Sequence, residues 1–193
     1  MAINKIQAQE AVKNLLSAFD IDVSRHSDIE KTPERVVKML AEMWQGEQYT
    51  NEEIATMFGK TFDSDSADMV VVDNIPCFSY CEHHLALMYN MNVSIAYIPR
   101  GKVIGLSKII RIVDMVSKRL QLQEKLTKDI AEVLLMACDT DSVTVYVSGE
   151  HSCMTTRGIK RYGEKTITTY YTGEFKDNKN LRDEFLCILK SGD

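Results

Sequence analysis

Residues 143–153 read Val-Thr-Val-Tyr-Val-Ser-Gly-Glu-His-Ser-Cys. Val143, Val145 and Val147 alternate with Thr144, Tyr146 and Ser148, the period of a strand that buries one face. Extending that register places His151 and Cys153 on the valine face, because residues two apart share a side. Residues 91–97 repeat the pattern, with Met91, Val93, Ile95 and Tyr97 between Asn92, Ser94 and Ala96. The β-branched run at 69–72, stopped by Asp73, Asn74 and Pro76, predicts another strand. Residues 165–171, rich in Thr, Ile and Tyr, predict a last one.

Two helices separate these pairs of strands. Ser107 is placed to cap the first, which carries Ile109, Ile110, Val113, Val116 and Leu120 inward. The second starts near Glu124, carries Leu126, Ile130, Val133, Leu134 and Ala137, and breaks at 139–142. The order strand-strand-helix-helix-strand-strand favours antiparallel pairing with the helices on one face. The fold class is therefore α+β, with a four-stranded antiparallel sheet.

Upstream of the sheet the chain is helical. Val12, Leu15, Leu16 and Phe19 recur at helical spacing. Thr32-Pro33 starts a second helix with an apolar stripe of Val36, Leu40, Met43 and Trp44, ended by Gly46. Thr50 and Glu53 form a capping box. Residues 59–68 look like a linker, so the chain divides into a helical segment, 1–66, and a catalytic domain, 67–193. A C-terminal helix carries Leu181, Phe185, Leu186 and Leu189.

The 193 residues are 45% hydrophobic and 26% charged, the profile of a soluble globular chain. The net charge of −5 argues against a nucleic-acid surface. No apolar run approaches the ~20 residues that cross a bilayer, and the N-terminus lacks a secretory core, so a cytoplasmic protein without a membrane partner is expected. Five cysteines without a dense framework fit a reducing compartment, where thiols are buried or bind metal.

The chemistry concentrates in two segments: Cys77-Phe-Ser-Tyr-Cys81-Glu-His-His-Leu85, expected as a turn or short helical loop, and Gly149-Glu-His-Ser-Cys-Met154. Thiolate and imidazole suit zinc, and a catalytic site keeps three protein ligands and an open position. Cys81 and His84 are close enough for one turn to present both, and Cys153 arrives from a strand. These three are the expected metal ligands, which leaves His83 and His151 for proton transfer. Cys77 also has workable spacing to Cys81 and is read as a core or near-site thiol. Glu82 is either solvated or orients a neighbour, and His26, in a polar loop, has no assigned role.

A basic group follows. Lys108 and Arg111 lie one turn apart behind Ser107, and Arg157, Lys160 and Arg161 follow the His151 strand. Arginine forks and helix N-termini both suit phosphate. Lys160 and Arg161 are read as solvated charges. At the junction of the two helices, Gln121-Leu-Gln-Glu124 offers a carboxylate for a pair of N–H donors such as a guanine edge. On spacing alone ordinary helix capping is the better reading.

Across these motifs the sequence resembles GTP cyclohydrolase I. The match runs through Thr32-Pro-x-Arg35, Cys81-Glu-His-His-Leu85, Gly105-Leu-Ser-Lys108, Arg111, Gln121-x-Gln-Glu-x-Leu-Thr127 and His151-x-Cys-Met-x-x-Arg-Gly158. The resemblance implies a tunnelling fold assembled as a decamer of two pentamers, with active sites at subunit interfaces. It implies GTP as substrate, 7,8-dihydroneopterin triphosphate and formate as products, and entry to folate or other pterins. It also implies Zn2+ on Cys81, His84 and Cys153, His151 and His83 as catalytic acids and bases, and Glu124 with Gln123 on the guanine edge. Ser107 is then near the ribose and phosphates, with Lys108, Arg111 and Arg157 on the triphosphate. One stretch departs from the family pattern: where Pro-Phe and then a Gly and a His are usual, residues 86–94 read Ala-Leu-Met-Tyr-Asn-Met-Asn-Val-Ser.

Overall fold

The computed structural model describes residues 3–25 and 27–191. His26 lies outside the described residues. The elements in chain order are helices α1 (Lys5–Ala18), α2 (Ser27–Glu30), α3 (Thr32–Met43) and α4 (Asn51–Phe58), then strands β1 (Thr61–Asp63), β2 (Val70–Cys81), β3 (Ala86–Tyr97) and β4 (Lys102–Ile104). Helix α5 (Leu106–Ser117), strand β5 (Leu120–Gln121), helix α6 (Gln123–Cys138), strand β6 (Val143–His151) and helix α7 (Ser152–Thr155) follow. Strand β7 (Thr166–Tyr171) and helices α8 (Gly173–Asp177) and α9 (Lys179–Ser191) complete the chain.

The main sheet has five strands in the order β5-β2-β3-β6-β7. Four of them form the expected antiparallel ladder. The fifth, β5, pairs parallel with the end of β2, so the sheet is mixed rather than four-stranded and antiparallel throughout. A two-residue strand has no periodicity to read, which is why the spacing pattern passes over it. The segment at 59–68 also departs from expectation: it contains β1, which pairs with β4.

Strands β2 and β3 run well past the apolar alternations. Asp73-Asn74 and Pro76 read as strand breakers, yet the chain absorbs Asp73-Asn74 as a bulge between Val72 and Ile75, with Asn74 at φ +57°, and pairs Pro76 opposite Asn92. Asn90, at φ +48°, accommodates a second irregularity against β6. The result is that 77–81 is strand, not turn, and only 82–85 reverses the chain.

The main core lies between one sheet face and α4, α5 and α6. Ile54, Val93, Ile95, Ile109, Val116, Leu126, Ile130, Val145 and Val147 are buried in it. On α5 the inward stripe is Ile109, Ile112, Val113 and Val116; Ile110, expected inside, is half exposed because it sits a third of a turn round. Leu120, also expected on that helix, belongs to β5. The opposite sheet face is covered by α8 and α9, through Ala96, Phe175 and Phe185. The capping box at Thr50 and Glu53 is present, and Asp139 ends α6 in the left-handed region, with its N–H donating to the Leu135 carbonyl.

Candidate functional site

Cys81 is the last residue of β2 and is 5% exposed. It is held on two sides, opposite Ala86 of β3 and opposite Gln121 of β5. The chain then turns through 82–85, with Leu85 at φ +52° and the His84 N–H donating to the Cys81 carbonyl at 3.4 Å. That turn presents Cys81 and His84 together. Cys153 comes from α7, the single helical turn after β6, rather than from the strand itself. The extended strand register therefore holds as far as His151 and ends there.

The donor atoms of Cys81, His84 and Cys153 all lie within 4.8 Å of one another, and among the described residues this is the group of three able to hold a metal ion. Ligands on a tetrahedral ion of ~2.0–2.3 Å bond length stand roughly 3.5–4 Å apart, so a contraction of about an ångström closes the site. Burial pushes the Cys153 thiol up, and the neighbouring Cys81 adds to the shift. Two adjacent sulfurs resist joint ionisation, and a divalent cation reverses that resistance. Cys77 does not belong to the group. Four residues of extended strand separate Cα atoms by about 13 Å, so its spacing to Cys81 works only in the turn that the segment does not form. Cys77 packs against the core, and burial pushes its thiol up to about 11.

His151 closes β6 opposite Met88. Its Nε2 lies 2.9 Å from Oε1 of Gln123, at the start of α6. Burial lowers its pKa, and the nearby Glu124 carboxylate pulls the other way. Glu124 is exposed in the first turn of α6, where the helix dipole favours an acid. The β2–β5 pairing brings that turn to the metal group, since Gln121 sits beside Cys81 two residues before Gln123. His83 is exposed, with its ring edge-on to His84 at 6.3 Å between centroids. Glu82 is exposed.

Ser107 lies within the first turn of α5, and Gly105, not Ser107, occupies the capping position. Lys108 and Arg111 follow on the same helix face. Among the described residues no hydrogen bond or ion pair joins Ser107, Lys108 or Arg111 to the metal group. Arg157 is exposed just after α7, close enough for its charge to lower the Cys153 thiol pKa in opposition to burial. Arg161 pairs with Glu164 at 3.0 Å in solvent, as expected of a surface charge.

Several supporting residues take no role from the sequence pattern. Thr127 and Thr168 meet at 2.5 Å behind Gln123. Arg119 is buried beside Asp129 at 2.9 Å and also donates to the carbonyls of Gly46 and Tyr49. These contacts join positions far apart in the chain, so spacing alone does not reveal them.

The family profile described as GTP cyclohydrolase I matches residues 8–190. GTP cyclohydrolase 1 of Clostridium beijerinckii is 49% identical over 194 residues, covering 97% of this chain and 98% of that one. The protein of the same name from Ruminiclostridium cellulolyticum is 47% identical over 196 residues, covering 98% and 100%. Among solved structures, the apo archaeosine synthase QueF-Like aligns with a TM-score of 0.44 at 24% identity, over 57% of this chain and 96% of that chain. The chain belongs to the GTP cyclohydrolase I family.

Proposed function

We propose that this enzyme opens the guanine imidazole ring of GTP by hydrolysis, giving 7,8-dihydroneopterin triphosphate and formate, the entry step to folate and other pterins. The observation that carries the reading is the three-membered group of Cys81, His84 and Cys153 beside His151 and Glu124. Those three residues would hold Zn2+. When bound, the ion supplies a nucleophile at neutral pH by acidifying water.

The chain's own residues do the rest. His151 protonates N7, which makes C8 electrophilic and open to attack. His83, exposed beside the ligand turn, assists the later proton transfers. Glu124 accepts the N–H donors of the guanine edge. Lys108, Arg111 and Arg157 bind the triphosphate, with Ser107 near the ribose. Anchoring both ends keeps the opened intermediate in place while the ribose rearranges and recloses on the base.

The same reading makes the chain a tunnelling-fold subunit of a homo-oligomer, a decamer of two pentamers, with sites completed between neighbours. Two features support it: among the described residues, those proposed for the triphosphate on α5 have no polar link to the metal group and the outer edge of β7 is unpaired. No described helix is long and apolar enough to cross a membrane.

Incubation with GTP carrying isotope at C8 tests the activity. Labelled formate and a pterin that fluoresces on oxidation are expected with zinc present and not after chelation. Label retained in the nucleotide with zinc-loaded protein overturns the reading.

A further inference from the structure

Gln123 stands beside Glu124, yet its side chain is not available to a substrate. The residue is 1% exposed and both ends of its amide are engaged. Nε2 lies 3.2 Å from the Val147 carbonyl, 3.0 Å from the Thr166 carbonyl and 3.3 Å from the Thr168 hydroxyl. Carbonyls only accept, so the NH2 end must face them; the flipped amide would set oxygen against two oxygens. Oε1 is therefore the atom that faces His151, at 2.9 Å. It too only accepts, so Nε2 of His151 must be the donor.

The remaining protons follow without ambiguity. The Thr127 hydroxyl donates to the Gln123 carbonyl at 2.7 Å. Its proton is then committed, so in the 2.5 Å contact Thr168 donates to Thr127. The Thr168 oxygen in turn accepts from the Gln123 amide. The circuit is closed and anchored on the Val147 and Thr166 carbonyls, and it meets the site through the His151 ring. Gly149 lies alongside: a Cβ there would crowd Met91 Cγ at 2.7 Å and stand in ordinary contact with Gln123 Oε1 at 3.5 Å.

We propose that Gln123 is a positioning residue that ties Nε2–H of His151 to the protein and leaves Nδ1 as the ring nitrogen that exchanges protons with the substrate. This rests on the role given to His151 above. It assigns the Gln123 side chain to the acid rather than to the guanine edge, and it makes Thr127 and Thr168 the outer members of the same device. A buried circuit of this kind fixes one ring orientation, and proton transfer depends on that orientation.

The test is steady-state formate release from GTP by zinc-loaded enzyme, with zinc content and thermal unfolding measured on each variant. Gln123→Met keeps length and removes the acceptor. It is expected to lower kcat at least about tenfold while KM for GTP stays within about twofold. Thr168→Val is expected to show the same pattern more weakly. Gln123→Glu retains an acceptor towards His151 but sets its second oxygen against the Val147 and Thr166 carbonyls, so it is expected to lower kcat as Gln123→Met does. In a His151→Asn background, Gln123→Met is expected to cost less than about twofold, because coupled residues lose their effect together. A raised KM with kcat preserved, or losses that multiply in the double variant, overturns the proposal. If Gln123→Met fails to fold, Thr168→Val and Gln123→Glu carry the same kcat-against-KM comparison. Wild-type protein that releases no formate defeats the activity itself, a result distinct from active wild type with indifferent Gln123 variants.

Discussion

The metal group and the proposed acid beside it, His151, are held in opposite ways. His151 enters a closed hydrogen-bond circuit through Gln123, Thr127 and Thr168. The His84 ring is exposed, and among the described residues no side-chain hydrogen bond fixes it. Its contact is the edge-on ring of His83. The acid is organised by the fold before any ligand arrives. The metal group has its backbone set by the β2–β3 turn and α7, and its donor atoms would be drawn together by a bound ion. Changes on the metal side should therefore remove function while sparing the fold, and changes in the structure supporting the acid should cost stability as well.

The largest contrast is expected from Cys153→Ser. Cys153 is half-buried at the rim, so this variant should lose metal and reduce formate release to background. Its metal-free unfolding free energy should stay within about 0.5 kcal/mol of the metal-free parent. Parallel metal analysis and denaturant titration check both halves of that statement. A variant that keeps its zinc removes Cys153 from the ligand set.

Arg119→Met probes the other side. Arg119 bonds Asp129, Asn51 and two backbone carbonyls beneath β5, the strand that leads to Gln123. Lys125 also contacts Asp129, so the carboxylate keeps one partner. The expected cost is about 3 kcal/mol, the lower end for breaking a buried pair. Urea unfolding of the metal-free protein measures it; a cost below about 1 kcal/mol would mean that the pair is not buried in solution as drawn.

Gly149→Ala is smaller. The new methyl meets Met91, a flexible side chain, so about 1–3 kcal/mol of overpacking is expected. Because Gln123 Oε1 lies alongside, kcat should fall more than KM rises. An unchanged kcat would separate the glycine from the acid.

Smallest is the alkaline limb of stability. Burial pushes Cys138 up to about 12 and Cys77 up to about 11. The unfolded chain releases these protons near pH 9 while the folded chain retains them, so stability is full below pH 9 and falls as pH rises from there towards 11 and 12. Between pH 8 and 9 the two thiols together should cost about 0.7 kcal/mol. Denaturant midpoints across that range give the slope, and Cys138→Ala should flatten it.

How legible each part was follows from how local its cause is. The strands at 91–97 and 143–148 were readable because their apolar residues alternate with smaller or polar ones, and 166–171 because it is rich in Thr, Ile and Tyr. The rest of β2 and β3 was not, since Asn74, Pro76 and Asn90 are breakers by type that serve here as bulges or edge residues. The difference leaves the site reading intact: Cys77, read as a core or near-site thiol, packs against the core, and once 77–81 is a strand it is too far away to be a ligand. Cys81, His84, Cys153 and His151 were readable because donor-bearing residues crowd two short segments. The Gln123–His151 contact joins positions 28 apart, and β5 creates it by pairing two residues. No periodicity encodes such a contact. The bracing role of Thr127 was hidden in the same way, although its place four residues after Gln123 is a helical neighbour's spacing.

The most direct test of the three-ligand metal group is X-ray absorption at the zinc edge of the loaded enzyme in the absence of GTP. The expected spectrum has two sulfurs at about 2.3 Å and two nitrogen or oxygen scatterers at about 2.0–2.1 Å, one of them from His84 and the other exchangeable solvent. A third sulfur, or a second histidine in the shell, would contradict the open position on which the proposed chemistry depends.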